Sequence, residues 1–209
     1  MAKRIDKLTD AQRLVSIGAR VSEYAIVVHN RDELQRIQGV LRADLGKSRA
    51  EAEVTELHPV LEEIQHAIRR LPRWMAARRV DTPVVLAGAR SEIQPQARGV
   101  TLVLSPWNYP VNLALAPLVA SLAAGNTVIL KPSEKAPNVA RALRALLESA
   151  FEPHLVAVVE GDAAVAQALT ALPFDHIFFT GSTAVGRRVI NRKSTRLNSS
   201  HTDISRMPS

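Results

Sequence analysis

From Gly99 to Ile190 the sequence alternates short apolar runs with longer segments of helical period, and no other feature restricts the fold so severely. The runs are "VTLVLS", "TVILK", "LVAVVEG" and "HIFFT". Between them lie "VNLALAPLVASLAAG", which ends at Gly125, then "NVARALRALLESA" and "DAAVAQALTAL", with Asp162 placed to cap the last; "GSTAVGRRVI" turns out of the final run into another helix. Runs that are apolar on both faces and alternate with helices predict βα units around a parallel sheet. Right-handed crossovers make such a sheet doubly wound, so the predicted class is α/β.

The part before this alternation reads as helices. Asn30 with Glu33, and Ser48 with Glu51, have the spacing of capping boxes. Between them Leu34, Ile37, Leu41 and Leu45 form a helical stripe that Gly46 stops. From Pro59 to about Ala77, the residues Val60, Leu61, Ile64, Ile68, Leu71 and Met75 recur at helical spacing, with a bend expected near Pro72. "TPVVLAGARSEIQPQARG" then predicts a hairpin or extended ribbon, two short extended runs around "AGAR".

In doubly wound sheets, ligands sit beyond the carboxyl ends of the strands. The segments "SPWN", "KPSE", "EGD" and "TGST" each follow a strand there. In "TGSTAVG", Gly181 and Gly186 flank a helix start, where free N–H groups and the helix dipole favour an anion. Gly181 permits close backbone approach, and Ser182 and Thr183 add hydroxyls, which suits a dinucleotide pyrophosphate; a tight strand-to-helix turn is the structural alternative. The pattern is not the full G-x-G-x-x-G, because Thr183 stands where the second Gly would be. Lys131 and Glu134, with Ser133 between them, place an ammonium and a carboxylate where ribose hydroxyls can be gripped, unless they form only a surface ion pair. Asn108 could be a turn-former. Its neighbours Pro106, Trp107, Tyr109 and Pro110 instead suggest a stiff amide donor in a dry pocket, suited to a developing oxyanion. Ser105, Trp107 and Gly161 complete the candidate cofactor-binding set.

Composition enters by exclusion. The chain of 209 residues has no cysteine, so it holds no disulfide, thiolate metal site or cysteine nucleophile, and no metal site is expected. No apolar stretch is long enough to span a membrane, and the basic start "MAKRIDKLTDAQ" has no apolar h-region after it; a cytoplasmic location is the expectation. The net charge is +7, but Arg192, Lys193, Arg196 and Arg206 against Asp203 supply a net +3 of it after Ile190. The remaining arginines are scattered along helix faces, so nucleic acid is not an expected partner. "NRKSTRLNSSHTDISRMPS" has no periodicity and interrupts a helix just begun. It resembles translated sequencing-adapter DNA, and residues 191–209 are read as a non-native or disordered tail.

"SPWNYP", then "AAGNTVILKPSE", then "FDHIFFTGSTAVG", in that order, resemble the aldehyde dehydrogenase superfamily over roughly residues 10–190. "ADLGKS" and "LPRW" are most similar to its class 3 branch of fatty-aldehyde and coniferyl-aldehyde enzymes. The resemblance implies that residues 1–190 form a partial NAD(P)-binding domain, N-terminal helices followed by a partial Rossmann-like parallel sheet, with residues 82–97 as an oligomerisation ribbon. It implies that Asn108 holds an oxyanion, that Lys131 and Glu134 bind the adenosine ribose of NAD or NADP, and that Gly181 to Gly186 lie near the pyrophosphate. The parent enzyme is then expected to oxidise an aldehyde substrate to a carboxylic acid as a homodimer. The family's catalytic Cys and its Glu in an "E-L-G-G-K"-type motif have no counterpart here, so this chain is expected to be an inactive fragment. The alternatives are a related acyl-CoA or acyl-phosphate reductase and a non-catalytic nucleotide-binding protein.

Overall fold

The computed structural model describes the backbone of residues 30–194 and the side chains of residues 30–190. Helix α1 (Arg31–Leu45) starts at Asn30, whose side chain accepts from the Asp32 N–H at 3.0 Å. The reciprocal half of the expected capping box is absent: the Glu33 carboxylate turns to Arg36 at 2.6 Å, one helical turn on. The helix ends at Gly46, and Ile37 and Leu41 of its stripe are fully buried.

Ser48 caps the next helix through the Glu51 N–H. That helix begins earlier than the periodicity suggested, as α2 (Arg49–Ala52), passes through a π-helical turn (Glu53–Leu57), and continues as α3 (His58–Met75). A cause of the turn is legible. Pro59 has no N–H to give the Thr55 carbonyl, and the Thr55 hydroxyl donates back to Glu51 O at 2.8 Å. The vacated Thr55 carbonyl accepts from Asn112 Nδ2 at 3.2 Å. Pro72 lies within α3, and the helix runs through it.

The ribbon differs from expectation. Its strands are β1 (Arg78–Val80) and β2 (Ser91–Ile93), antiparallel, with Arg78 opposite Ile93 and Val80 opposite Ser91. The first strand therefore lies upstream of the apolar run Val84–Leu86, which forms a 3-10 turn at the tip. Pro83 cannot donate to a ladder, and Thr82 Oγ1 instead meets the Ser91 hydroxyl at 3.0 Å and accepts from the Ser91 N–H at 3.1 Å. Val84 and Val85 are each 90% exposed.

The predicted alternation follows. Strand β3 (Val100–Leu104) leads to α4 (Asn112–Ala123), β4 (Thr127–Lys131) to α5 (Pro137–Ala150), β5 (Val156–Val158) to α6 (Ala163–Thr170), and β6 (His176–Phe179) to α7 (Thr183–Ser194). Strand β5 is shorter than the run "LVAVVEG" suggested. Helix α7 continues to Ser194, past the Ile190 break expected from sequence, and residues 195–209 of the expected tail lie outside the described residues.

Among the described residues the second sheet has four parallel strands in the order β5-β4-β3-β6. Helices cover both faces, as two separate apolar clusters show. On one face Val103, Val128, Leu130, Val156 and Val158 pack beneath α1, α3, α4 and α5. On the other, Leu102 and Leu104, with Ile129, Ile177 and Phe179, meet Leu169 and Val165 of α6 and Val189 of α7. Adjacent residues of one strand serve opposite clusters, as a period of two requires. Helix α4 is apolar nearly all round, with Leu115, Leu118 and Val119 buried between the sheet and α3. Each such side chain contributes about 1.5–3 kcal/mol relative to exposure.

The chain leaves β3 for β4 on one side and returns to pair with β3 on the other through β6. The strand order thus reverses at the β3–β6 boundary, where a doubly wound sheet opens a crevice at its carboxyl edge.

Candidate functional site

The registers bring three of the four singled-out segments side by side. Leu104 pairs with Lys131 on one side and with Phe179 on the other. The Ser105 N–H donates to Lys131 O and the Thr180 N–H to Leu104 O, both at 3.2 Å. "SPWN", "KPSE" and "TGST" therefore leave the sheet from adjacent strands at one edge. The fourth segment follows β5, one strand further out.

Lys131 is 4% exposed. Its Nζ donates to Pro132 O at 3.0 Å and meets Glu134 Oε2 at 3.2 Å. An ammonium carries three N–H donors, so these two acceptors leave one for a ligand. Glu134 is exposed. Partial burial pulls its carboxyl upward, but its own backbone N–H, the Lys131 ammonium and then Lys135 outweigh that and hold it below the usual carboxylate range. Ser133 Oγ accepts from the Lys135 N–H at 3.3 Å, which closes the loop on itself. Ser105 is buried, and its Oγ has no hydrogen-bond partner among the described residues. The Ser105 N–H bonds the Lys131 carbonyl, so an orphaned hydroxyl and a buried ammonium stand on adjoining strand ends, and each leaves a polar capacity that a ligand can complete.

Gly181, Ser182 and Thr183 are exposed at the N-terminus of α7, where free N–H groups favour an anion. A Cβ on Gly181 would lie 2.5 Å from Phe179 Cζ, so the close approach expected of this glycine is made to the last residue of β6. Gly186 follows one turn later, its N–H donating to Ser182 O at 2.9 Å.

Gly161 has a conformational task. Its φ is 147°, and a Cβ there would lie 2.5 Å from Val165 Cγ2. Its neighbours are also engaged, Glu160 with Arg144 at 2.6 Å and Asp162 as the cap of α6. Gly161→Ala is expected to lower stability by about 1–3 kcal/mol through backbone strain and overpacking, read as a lower urea midpoint at unchanged denaturant slope.

The dry pocket around Asn108 is not found among the described residues. Asn108 is exposed, Trp107 is 48% exposed and Tyr109 41%. With Trp107 and Tyr109 themselves so open to solvent, their rings do not close a dry pocket among the described residues.

Sequence reasoning missed what lies under that loop. Glu56, 0% exposed, accepts from Lys47 Nζ at 2.6 Å through Oε1. Its Oε2 accepts from the N–H groups of Val111 at 3.1 Å and Asn112 at 2.9 Å. Helix α4 begins after Val111, which has no capping side chain, so a distant Glu takes that role. Lys47 is 7% exposed and sits 4.1 Å from the Tyr109 ring centroid. The available signal was Pro59, four residues after Thr55, marking the helix irregularity that re-aims Glu56 inward.

Helices followed by a parallel sheet that is covered on both faces and reverses its strand order define an α/β domain of the doubly wound class. Residues 18–204 match the aldehyde dehydrogenase family, and the chain belongs to that family. It is 42% identical over 157 residues to the 4,4'-diaponeurosporen-aldehyde dehydrogenase of Staphylococcus aureus, covering 75% of this chain and 34% of the relative. It is 40% identical over 154 residues to aldehyde dehydrogenase family 3 member H1 of Arabidopsis thaliana, covering 74% of this chain and 32% of the relative. Class 3 members are thus among its homologues. The structure of Staphylococcus aureus AldH in a substrate-bound state superposes with a TM-score of 0.84 at 36% identity, covering 87% of this chain and 39% of that one. The chain spans about a third of the length of the curated relatives it matches. No helix among the described residues is long and apolar enough to cross a membrane.

Proposed function

We propose that these residues are the dinucleotide-binding part of an enzyme that oxidises an aldehyde to a carboxylic acid with NAD+ or NADP+, and that the 209-residue chain alone binds the nucleotide without turning the aldehyde over. The observation that carries this reading is the buried Lys131 ammonium at the carboxyl edge where the strand order reverses, with the orphaned Ser105 hydroxyl on the adjoining strand end.

In this reading Lys131 and Glu134 grip the ribose hydroxyls of the adenosine half, and Ser133 closes their loop. Ser105 and Trp107 line the crevice between them and β6. The N–H groups that open α7, reached closely at Gly181 and flanked by Ser182, Thr183 and Gly186, face the pyrophosphate; Gly161 shapes the neighbouring loop. Asn108 donates its side-chain amide to the oxygen that gains charge as a nucleophile adds to the aldehyde carbonyl, a contribution worth about 3–4 kcal/mol of barrier. The nicotinamide, when bound, supplies the hydride acceptor. An ionised Glu134 repels a 2′-phosphate on that ribose, so NAD+ binds more tightly than NADP+. The chain has no cysteine to provide a thiolate, which is why turnover is not expected of it. The same reading makes the intact enzyme a homodimer, to which the exposed tip at Val84 and Val85 lends an apolar surface.

Calorimetric titration with NAD+ and with NADP+, followed by an assay for NADH with an aliphatic and an aromatic aldehyde, tests both halves. Saturable binding with NAD+ preferred, and no NADH formed, is expected. Absence of binding removes the nucleotide site, and NADH formation removes the claim of inactivity.

A further inference from the structure

The Lys47–Glu56 pair is outside the candidate cofactor and catalytic residues named above, yet it is among the most buried polar groups described. A local Ser or Asp would cap α4 adequately. An ion pair taken out of water is a costly substitute, because its desolvation can exceed its Coulombic gain. What the pair adds over a local cap is its second attachment. Glu56 grips the chain just after the Trp107–Tyr109 loop, at Val111 and Asn112, and Lys47 lies over the ring of Tyr109 within that loop. Asn112 Nδ2 adds a bond to Thr55 O in the π-helical turn that aims Glu56.

We propose that Lys47 and Glu56 are positioning residues, a clamp that holds the exposed Asn108 amide in one place at the carboxyl end of β3. Glu56 fixes the Lys47 ammonium, the ammonium fixes the Tyr109 ring, and the α4 N-terminus fixes the chain beyond it. Asn108 lies between the end of β3 at Leu104 and the attachment at Tyr109, which it directly precedes, and three residues before Val111. An oxyanion donor is effective only when held in place before the charge develops. The purpose assigned to the clamp rests on the reading of Asn108 above; its mechanics do not.

The test uses the full chain carrying Trp74→Phe, which leaves Trp107 as the single tryptophan of the original two. The double variant Lys47→Met/Glu56→Gln removes both charges while an amide oxygen still accepts from Val111 and Asn112. Helix content and the unfolding midpoint are expected to stay near those of the parent. Acrylamide quenching of Trp107 is expected to rise about two-fold as the loop loosens, and the Asn108 side-chain amide pair in the 15N NMR spectrum to shift and sharpen toward free asparagine. Tyr109→Leu, at a position 41% exposed that folding should tolerate, removes the ring and leaves the ion pair, and the same rise is expected. A folded variant of either kind with unchanged quenching and an unchanged Asn108 pair overturns the clamp. NAD+ titration of the same samples separates the two claims. Failure of the parent chain to bind NAD+ defeats the nucleotide reading alone, and an unmoved loop with intact NAD+ binding defeats the clamp alone.

Discussion

Lys131→Met will weaken NAD+ binding to the chain about 10- to 100-fold, the loss expected when a charge-assisted hydrogen bond worth roughly 1.5–3 kcal/mol is removed. Methionine keeps the buried unbranched stem and deletes only the ammonium, so the unfolding midpoint should move little. Calorimetry on parent and variant reads the ratio directly. An unchanged affinity would reduce Lys131 to a partner for Pro132 O and Glu134. The pH dependence follows from Glu134, whose carboxyl lies below its ordinary range against the pull of partial burial, through its own N–H, Lys131 and Lys135. Its contribution is fully present above the ordinary carboxylate range and fades as pH falls through the lowered value. NAD+ affinity should therefore stay flat from neutral into mildly acidic solution and drop only in acid.

Glu56→Leu will destabilise the fold by about 3–5 kcal/mol, the range for removing one partner of a buried ion pair. The substitution strands the Lys47 ammonium, which is 7% exposed, and uncaps the N–H groups of Val111 and Asn112. Glu56→Gln keeps an acceptor for those groups and should cost less. Urea unfolding of the three proteins gives the order parent, Glu56→Gln, Glu56→Leu. Equal midpoints for parent and Glu56→Leu would mean that the pair stabilises nothing and that solvent reaches Lys47.

The βα alternation was legible because parallel strands must be apolar on both faces, and Val103 against Leu102 shows that pattern serving two cores. The caps at Asn30, Ser48 and Asp162 were legible because they act within three residues of themselves. The ribbon was displaced because β1 consists of Arg78, Arg79 and Val80, a charged run that carries no strand signal, whereas the apolar Val84–Leu86 drew the assignment. Glu56 was hidden for a different reason. Helical periodicity assumes a uniform advance per residue, and the π-helical turn breaks that advance at the place where the carboxylate is re-aimed. The candidate site was visible as short strings after strands, but adjacency of those strings depends on β6 returning to pair with β3, a long-range register that no local pattern encodes.

In the proposed function the carboxyl ends of β3, β4 and β6 form one nucleotide site. The most direct measurement is a 15N NMR titration of the full chain with NAD+, with shifts mapped by residue. Saturable changes concentrated at Ser105–Asn108, Lys131–Glu134 and Thr180–Gly186 are expected. Shifts gathered elsewhere, for example in the open cleft between Glu148 and Leu155 that precedes β5, or no shifts at saturating nucleotide, would contradict it.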